Sequence, residues 1–408
     1  MTRAPDRQGA GPNRPSVAPL PDSVLRPERI FIEKRAESNL RTRLVLDRLR
    51  LRDGFLDHLR RRDRSPERLE GPDVIFVDDL QDFLRERARQ SPPPSGKPDL
   101  LLAVFPGKFL KFCPGTQRHI CCLYRVLNIQ TGCDVGCTYC ILQGYLNNPL
   151  LTVYVNLEDA LTEVEEALTA HPEQFFRIGT GELTDSLTFD PVALQSRELI
   201  PFFAQQNNAI LELKTKTTHV DQFLDLNPRG RVIVSWSLNT DSVAASEEGD
   251  APPVEARLEA ARKVQDAGYR LGFHFDPLIE HEGWEKGYRE VVDAIFDTVS
   301  AERIAWISLG ALRYPPVLDN LIRKRHPHSD LPQAELVPGL DGKLRYFRPA
   351  RVRMFRAMYR WIKRRAPDVF VYLCMESDIV WRQAFGWNPR TSKRLGELLD
   401  ERARMGLE

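Results

Sequence analysis

The chain has 408 residues, 42% hydrophobic and 28% charged, the proportions of a globular protein with one catalytic domain and appendages. Lys and Arg number 58 against 57 Asp and Glu, so a formal net charge of +1 excludes a global field drawing the chain to nucleic acid. No run of about 18 apolar residues could cross a bilayer, the opening Met-Thr-Arg-Ala-Pro-Asp-Arg-Gln lacks the apolar core of a secretory signal, and seven cysteines, three of them clustered, point to reduced thiols in the cytoplasm.

Residues 1–27 are rich in Pro, Arg, Gly and Ser with almost no apolar periodicity and read as a disordered tail. From 29 to 64 arginines alternate with Leu and Val, as in Arg41-Thr-Arg-Leu-Val-Leu-Asp-Arg-Leu-Arg-Leu-Arg52. This predicts an amphipathic helix with a basic face, partly neutralised by Asp47, Asp53 and Asp57. Pro92, Pro93 and Pro94, then Ser95 and Gly96, mark a linker ahead of an apolar strand over 100–105. A strand over 123–129 leads into Thr131-Gly-Cys-Asp-Val-Gly-Cys-Thr-Tyr-Cys140, which puts Cys133, Cys137 and Cys140 within eight residues. Structural zinc sites and all-cysteine iron–sulfur sites use four protein ligands, so three suggest a metal centre with one position open to a substrate. A zinc knuckle completed by a distant His or Cys, or plain buried thiols, is the alternative. Cys113, Cys121 and Cys122 have no fourth partner at metal spacing and read as structural.

Beyond the loop, strand and helix alternate. A helix over 157–170 has Asn156 as its expected N-cap. Strands follow at 175–178, 209–213, 231–238, 269–275 and 304–309, with helices at 194–206, 219–226, 254–267 and 285–299. Counting the strand at 123–129, six strands separated by helices imply a parallel sheet curled into a barrel or partial barrel, with its active site at the carboxyl ends of the strands. Polar residues gather there: Gly179-Thr-Gly-Glu182, whose glycines permit close approach and whose carboxylate suits a cationic amine; Lys214-Thr-Lys216; Ser237 and Asn239, within reach of ribose or carboxylate; His274 and Asp276; His281-Glu-Gly-Trp-Glu285; Ser308; and Arg313-Tyr314. Singly, each serves equally well as a cap or turn residue. Farther on, Asp341-Gly342 predicts a tight hairpin turn with Leu340, Leu344, Tyr346 and Phe347 nearby. A helix over 348–365 follows, bearing Arg351, Arg353, Arg356, Arg360, Lys363, Arg364 and Arg365. Such a pair could grip phosphates and wedge a base step; a solvated helix face is the alternative. The expected domains are the 1–27 tail, a 28–120 extension, a 121–312 barrel and a 313–408 C-terminal region.

The C-x3-C-x2-C spacing, with Tyr139 before its last cysteine, resembles the signature of the radical S-adenosylmethionine superfamily, whose three cysteines hold a 4Fe-4S cluster. Gly179-Thr-Gly-Glu182 resembles the Gly-Gly-Glu element that holds the methionyl amine. Cys113-Pro-Gly-Thr, Ile120-Cys-Cys-Leu-Tyr, Leu127-Asn128, Cys140-Ile-Leu-Gln, Lys214-Thr-Lys216 to Val220-Asp221, and Gly272-Phe273 through His281-Glu-Gly-Trp-Glu285 together resemble the spore photoproduct lyase family. That resemblance implies an α/β fold: a partial (β/α)6 barrel of the radical SAM type, an N-terminal α/β extension and a C-terminal hairpin and helix region. It implies a lyase that reverses the thymine dimer 5-thyminyl-5,6-dihydrothymine in DNA through a 5'-deoxyadenosyl radical. Cys133, Cys137 and Cys140 would bind the cluster, and Tyr139 would lie near the adenosine or in the radical relay. Gly179, Gly181, Glu182, Lys216, Ser237 and Asn239 would surround S-adenosylmethionine. The Asp341-Gly342 hairpin would help flip the lesion, a step the chemistry requires, with His281, Trp284, Arg313, Tyr314 and Tyr346 as further substrate or DNA contacts. Expected partners are ultraviolet-damaged DNA and an electron donor for the cluster, with no membrane, and a monomer as the simplest assembly.

Two positions depart from the family pattern. Leu183 stands where its members carry a hydrogen-donor cysteine, and Ile141 where they carry a tyrosine. Cys374, in Tyr372-Leu-Cys-Met-Glu376, is the expected donor instead, with a buried structural thiol as the alternative. Two other functions stay open: the same radical chemistry on a different lesion or nucleobase, and a zinc-containing nucleic-acid-binding protein without catalysis.

Overall fold

The structure, a computed structural model, describes residues 18–49, 72–89 and 99–407. Its strands, in chain order, are β1 (Arg29–Glu33), β2 (Asp73–Val77), β3 (Leu100–Ala103), β4 (Leu110–Phe112), β5 (Arg125–Leu127), β6 (Gln130–Thr131), β7 (Leu151–Tyr154), β8 (Phe176–Gly179), β9 (Ala209–Thr215), β10 (Val232–Ser237), β11 (Arg270–Leu278), β12 (Ile304–Ala311), β13 (Arg313–Tyr314), β14 (Leu336–Pro338), β15 (Leu344–Tyr346) and β16 (Val371–Leu373).

An eight-stranded sheet in the order β16-β12-β11-β10-β9-β8-β5-β4 forms the centre of the molecule. From β5 to β12 its neighbours are parallel, and β16 extends the parallel run beyond β12 while β4 closes the other edge antiparallel to β5. The six expected strands are all present, so the α/β partial-barrel expectation holds. β16 is an addition that brings Cys374 to the end of a seventh parallel strand. Every residue of β12 is buried, as expected of a parallel strand covered on both faces. The helix Val254–Asp266 buries Val254, Leu258, Ala261 and Val264, the three-to-four spacing of a helix laid against that sheet.

A second sheet, ordered β2-β1-β3-β7-β6, is parallel except where β6 meets β7. Since β6 and β7 lie on either side of the cysteine loop, this sheet grips both ends of it. A third, small sheet joins β13, β15 and β14 into the hairpin arm. Among the described residues no helix is long and apolar enough to cross a membrane.

Several local expectations change. Of the expected 29–64 helix, Arg29–Glu33 is strand β1 and only Leu40–Arg48 is α-helical. The apolar run Ile30-Phe31-Ile32 is buried between β2 and β3, where pairing outweighs the arginine-rich pattern that follows. Residues 50–64, with Asp53 and Asp57, lie outside the described residues, as do the 92–96 linker and residues 1–17 of the expected tail. Within 18–27, Val24 and Leu25 are buried in the core beside β1. Residues 219–226 form turns rather than a helix. There the Tyr269 hydroxyl donates to the carbonyls of Phe223 at 2.9 Å and Leu226 at 3.1 Å, a long-range pairing no local pattern announces. Asn156 precedes the helix Leu157–Ala170 without capping it. Its amide spans the backbone of Phe105 instead, accepting from the N–H at 2.9 Å and donating to the carbonyl at 3.1 Å.

Candidate active site at the carboxyl ends of the strands

The cysteine loop leaves β6 and returns as β7, with Gln130 opposite Val153 and Thr131 opposite Thr152 at its base. Gly132 is required at the exit: its φ is +87°, and a Cβ there would lie 2.8 Å from the Leu150 carbonyl oxygen. The far side of the loop is held by the end of the helix Asp241–Glu247 and the residue after it. Thr138 N–H donates to the Glu247 carbonyl at 2.9 Å, Thr138 Oγ1 donates to the Glu247 carboxylate, and the Tyr139 hydroxyl donates to Glu248. Glu248 is fully buried and paired with the equally buried Arg257 at 2.6 Å. Isolated, such a carboxylate would be costly; here Arg257, Lys216 at 4.0 Å and the Asn239 amide at 3.1 Å offset its desolvation.

All three loop cysteines are free thiols. Burial pushes Cys137 up to about 12 and raises Cys133 and Cys140 as well, with Lys216 opposing the shift at Cys137 and Cys140 while Asp185 and Asp134 reinforce it at Cys133. These groups stay protonated until a metal displaces the protons. No three His, Cys, Asp or Glu side chains among the described residues are grouped to hold a single metal ion. The donor set itself, three soft sulfurs on one loop facing a lysine, fits an iron–sulfur cluster.

The strand ends converge beside this loop. Glu182 is paired with Lys214 at 3.2 Å, so its carboxylate already holds an ammonium group. Lys216 lies 5.7 Å from the Tyr139 ring centroid, and although burial works against its charge, Glu248, Cys137 and Asp185 together outweigh burial and raise its pKa. Ser237 is half-buried and gives its backbone oxygen to Arg257 at 3.0 Å. Asn239 is committed within the protein: its amide donates to Glu248 and its oxygen accepts from the Tyr288 hydroxyl at 2.6 Å. Gly179 and Gly181 line the approach, and a Cβ on Gly179 would meet the Tyr124 hydroxyl at 1.6 Å. Tyr124, Glu248 and Arg257 are parts of this site that sequence reasoning missed. So is Glu212, whose carboxylate accepts from Ser235 at 2.5 Å, faces His274 Nε2 at 2.9 Å and is held at about 2: burial raises it, but His274, Ser235 and Lys214 together outweigh burial. Glu212 lies in a strand, Glu248 just past a helix end and Arg257 within the helix Val254–Asp266, none with a motif of its own, while Tyr124 ends the Ile120-Cys-Cys-Leu-Tyr motif without announcing this contact.

On the other side of the mouth, Arg313 makes a two-pronged pair with Asp276 at 2.9 and 3.1 Å, and its Nη2 lies 3.6 Å from Cys374 Sγ. Burial, then the Asp276 charge, raises the Cys374 thiol well above its ordinary value. Cys113 and Cys122 belong to the same electrostatic neighbourhood. Leu183 meets the cysteine loop through its backbone, its carbonyl accepting from Gly132 N–H at 2.9 Å.

The remaining candidates are dispersed. His281 is half-buried against Thr240 at 3.0 Å. Trp284 packs on Trp361 beneath Arg353, and the Tyr314 and Tyr346 rings are buried, their hydroxyls bonded to Asp319 and to Glu280 N–H. The hairpin turn forms as expected, with Gly342 at φ +75° and Asp341 paired to Arg345 at 2.6 Å. The apolar side chains this arm exposes are Val337, Leu340 and, just beyond it, Phe347.

The family profile described as spore photoproduct lyase matches residues 117–340. The spore photoproduct lyase of Bacillus subtilis strain 168 is 34% identical over 204 residues, 49% of this chain and 60% of that protein, so the alignment spans less than two thirds of that relative. The protein of the same name from Geobacillus sp. strain Y412MC61 is 28% identical over 235 residues, 57% of this chain and 67% of that one. A solved spore photoproduct lyase mutant with dinucleoside spore photoproduct has a TM-score of 0.71 at 22% identity, covering 86% of this chain and 99% of that one. Another mutant, with bound AdoMet and the same dinucleoside, has a TM-score of 0.69 at 22% identity, covering 85% and 98%. At such identities the two structures establish a shared fold.

Proposed function

This chain belongs to the spore photoproduct lyase family, and on that premise we propose that it is a radical S-adenosylmethionine lyase that repairs a thymine dimer, 5-thyminyl-5,6-dihydrothymine, in ultraviolet-damaged DNA. The observation that carries the reading is the cysteine loop: three thiols without a fourth, gripped at both ends and facing Lys216 at the carboxyl ends of the parallel strands. Cys133, Cys137 and Cys140 would hold a 4Fe-4S cluster, with S-adenosylmethionine beside it. When bound, these groups supply a one-electron reductive cleavage that begins hydrogen-atom abstraction from the lesion.

The rest falls to the chain's own side chains. Glu182 would take the methionyl amine, exchanging it for Lys214, while Lys216 offers an ammonium to the methionyl carboxylate and Ser237 a hydroxyl to the ribose. Asn239, bonded at both ends of its amide, orients Glu248 and through it Tyr139. Cys374 would return the hydrogen atom, since burial and Asp276 keep it as S–H, the form that has one to give. Val337, Leu340 and Phe347 would wedge the duplex, with phosphates on Arg348 to Arg365. Seven free thiols suit the reducing cytoplasm.

Leu183, with no thiol, favours one second reading: the same chemistry on a different lesion or nucleobase. Oxygen-free reconstitution tests both. Iron with acid-labile sulfide, and 5'-deoxyadenosine formed faster with ultraviolet-damaged than with intact DNA, is the expected result. Formation indifferent to damage would leave the second reading; zinc in place of iron would end both.

A further inference from the structure

The hairpin arm and the cysteine loop are stitched together by three side-chain bridges. Gln143, three residues after Cys140, donates both hydrogens of its amide to the loop backbone, at 3.1 Å to the Cys137 carbonyl and 2.8 Å to that of Thr138. That commitment fixes the amide's orientation and leaves Oε1 as an acceptor, 3.2 Å from His326 Nε2, which must therefore be the donor. Burial lowers the His326 pKa, in keeping with a neutral ring protonated at that nitrogen. One residue earlier, Arg325 Nη1 reaches the Gln143 carbonyl at 3.3 Å. Three residues later, Ser329 Oγ donates at 2.8 Å to the Glu247 carboxylate that also accepts from Thr138 Oγ1.

Residues 325–329 close the helix Pro316–Arg325 and lead into β14, so they form the root of the hairpin arm. We propose that Gln143 is a positioning residue coupling this arm to the cysteine loop, so that duplex DNA seated on the arm is registered in the backbone that carries Cys137. The inference rests on the repair reading for its ligand, while the bridges themselves are independent of it. A displacement of the root moves His326 and Ser329, and each pulls on the loop through one intervening side chain. Two bridges converging on Thr138 resist rotation about either one alone.

Hydrogen–deuterium exchange on anaerobic, cluster-loaded protein, with and without a duplex carrying the thymine dimer, tests the coupling. Amides of residues 137–143 should exchange about fivefold more slowly with the lesion duplex, the low end of ordinary coupling between sites. In His326→Ala that protection should vanish, with iron content and affinity for the duplex unchanged, and in Gln143→Ala it should vanish as well. His326→Gln, whose amide still donates to Gln143, should restore it. Protection that persists in His326→Ala, or wild-type protein that binds the duplex without protecting the loop, would overturn the coupling and leave the repair reading standing. Wild-type protein that binds no duplex would overturn both.

Discussion

Two groups of thiols flank the mouth of the barrel, and they are built in opposite ways. Cys133, Cys137 and Cys140 share one loop whose ends pair with each other, so eight residues of sequence bring them together. Cys374 meets Arg313 and Asp276 only because β16 adds to β12, and it nears Cys122 where Ile120 bridges Glu376 across the chain. Their electrostatics differ as well. Lys216, beside Cys137 and Cys140, favours the thiolate that a metal ligand must become. Asp276, beside Cys374, disfavours the thiolate and preserves S–H. Under the proposed assignment a cluster ligand and a hydrogen-atom donor need opposite protonation states; burial raises all four thiols, and Lys216 opposes that rise at Cys137 and Cys140 while Asp276 reinforces it at Cys374 against Arg313.

The largest test of that contrast removes a sulfur from the loop. Cys137→Ala should lose iron and sulfide to background and abolish S-adenosylmethionine cleavage while keeping the fold, as read by iron analysis and circular dichroism. Next, Cys374→Ala should retain the cluster and cofactor cleavage but lose about 100-fold in repaired product, the lower end for a positioned transfer group. Cys113→Ala, from the same neighbourhood but without the Arg313–Asp276 contact, should be nearly silent. If Cys113→Ala shows the product loss and Cys374→Ala does not, the two thiols have been assigned the wrong way round. Smaller again, Asp276→Asn leaves Arg313 without its anion. Because Asp276 is a quarter exposed, the cost should be about 2 kcal/mol, below that of breaking a fully buried pair, measured by urea unfolding. Cofactor cleavage should survive this change.

A further expected effect is a pH dependence inside the barrel. Glu212, ordinarily 4.5, is held at about 2, so its contribution to stability is complete above pH 4.5 and is lost as pH falls towards about 2. Glu212→Gln should flatten the unfolding profile across that window. An unchanged slope would show that His274 and Ser235 hold the carboxylate no better than water does.

The sequence by itself determined the cysteine loop, the six strands with most of their helices, and the Asp341-Gly342 turn. Each is a local pattern whose meaning lies within about ten residues: thiol spacing, alternating apolar runs, a turn dipeptide. Tertiary structure alone decided that residues 29–33 are a strand, that 219–226 is held in turns by Tyr269, and that Glu248 and Arg257 pin Tyr139 from more than a hundred residues away. It also decided that Trp284, Tyr314 and Tyr346 are buried while Val337 and Leu340 are exposed. The physical reason is common to all of these. A buried charge or carbonyl takes whichever partner the packing brings within hydrogen-bond reach, and that partner's position in the chain leaves no trace in the residues around it.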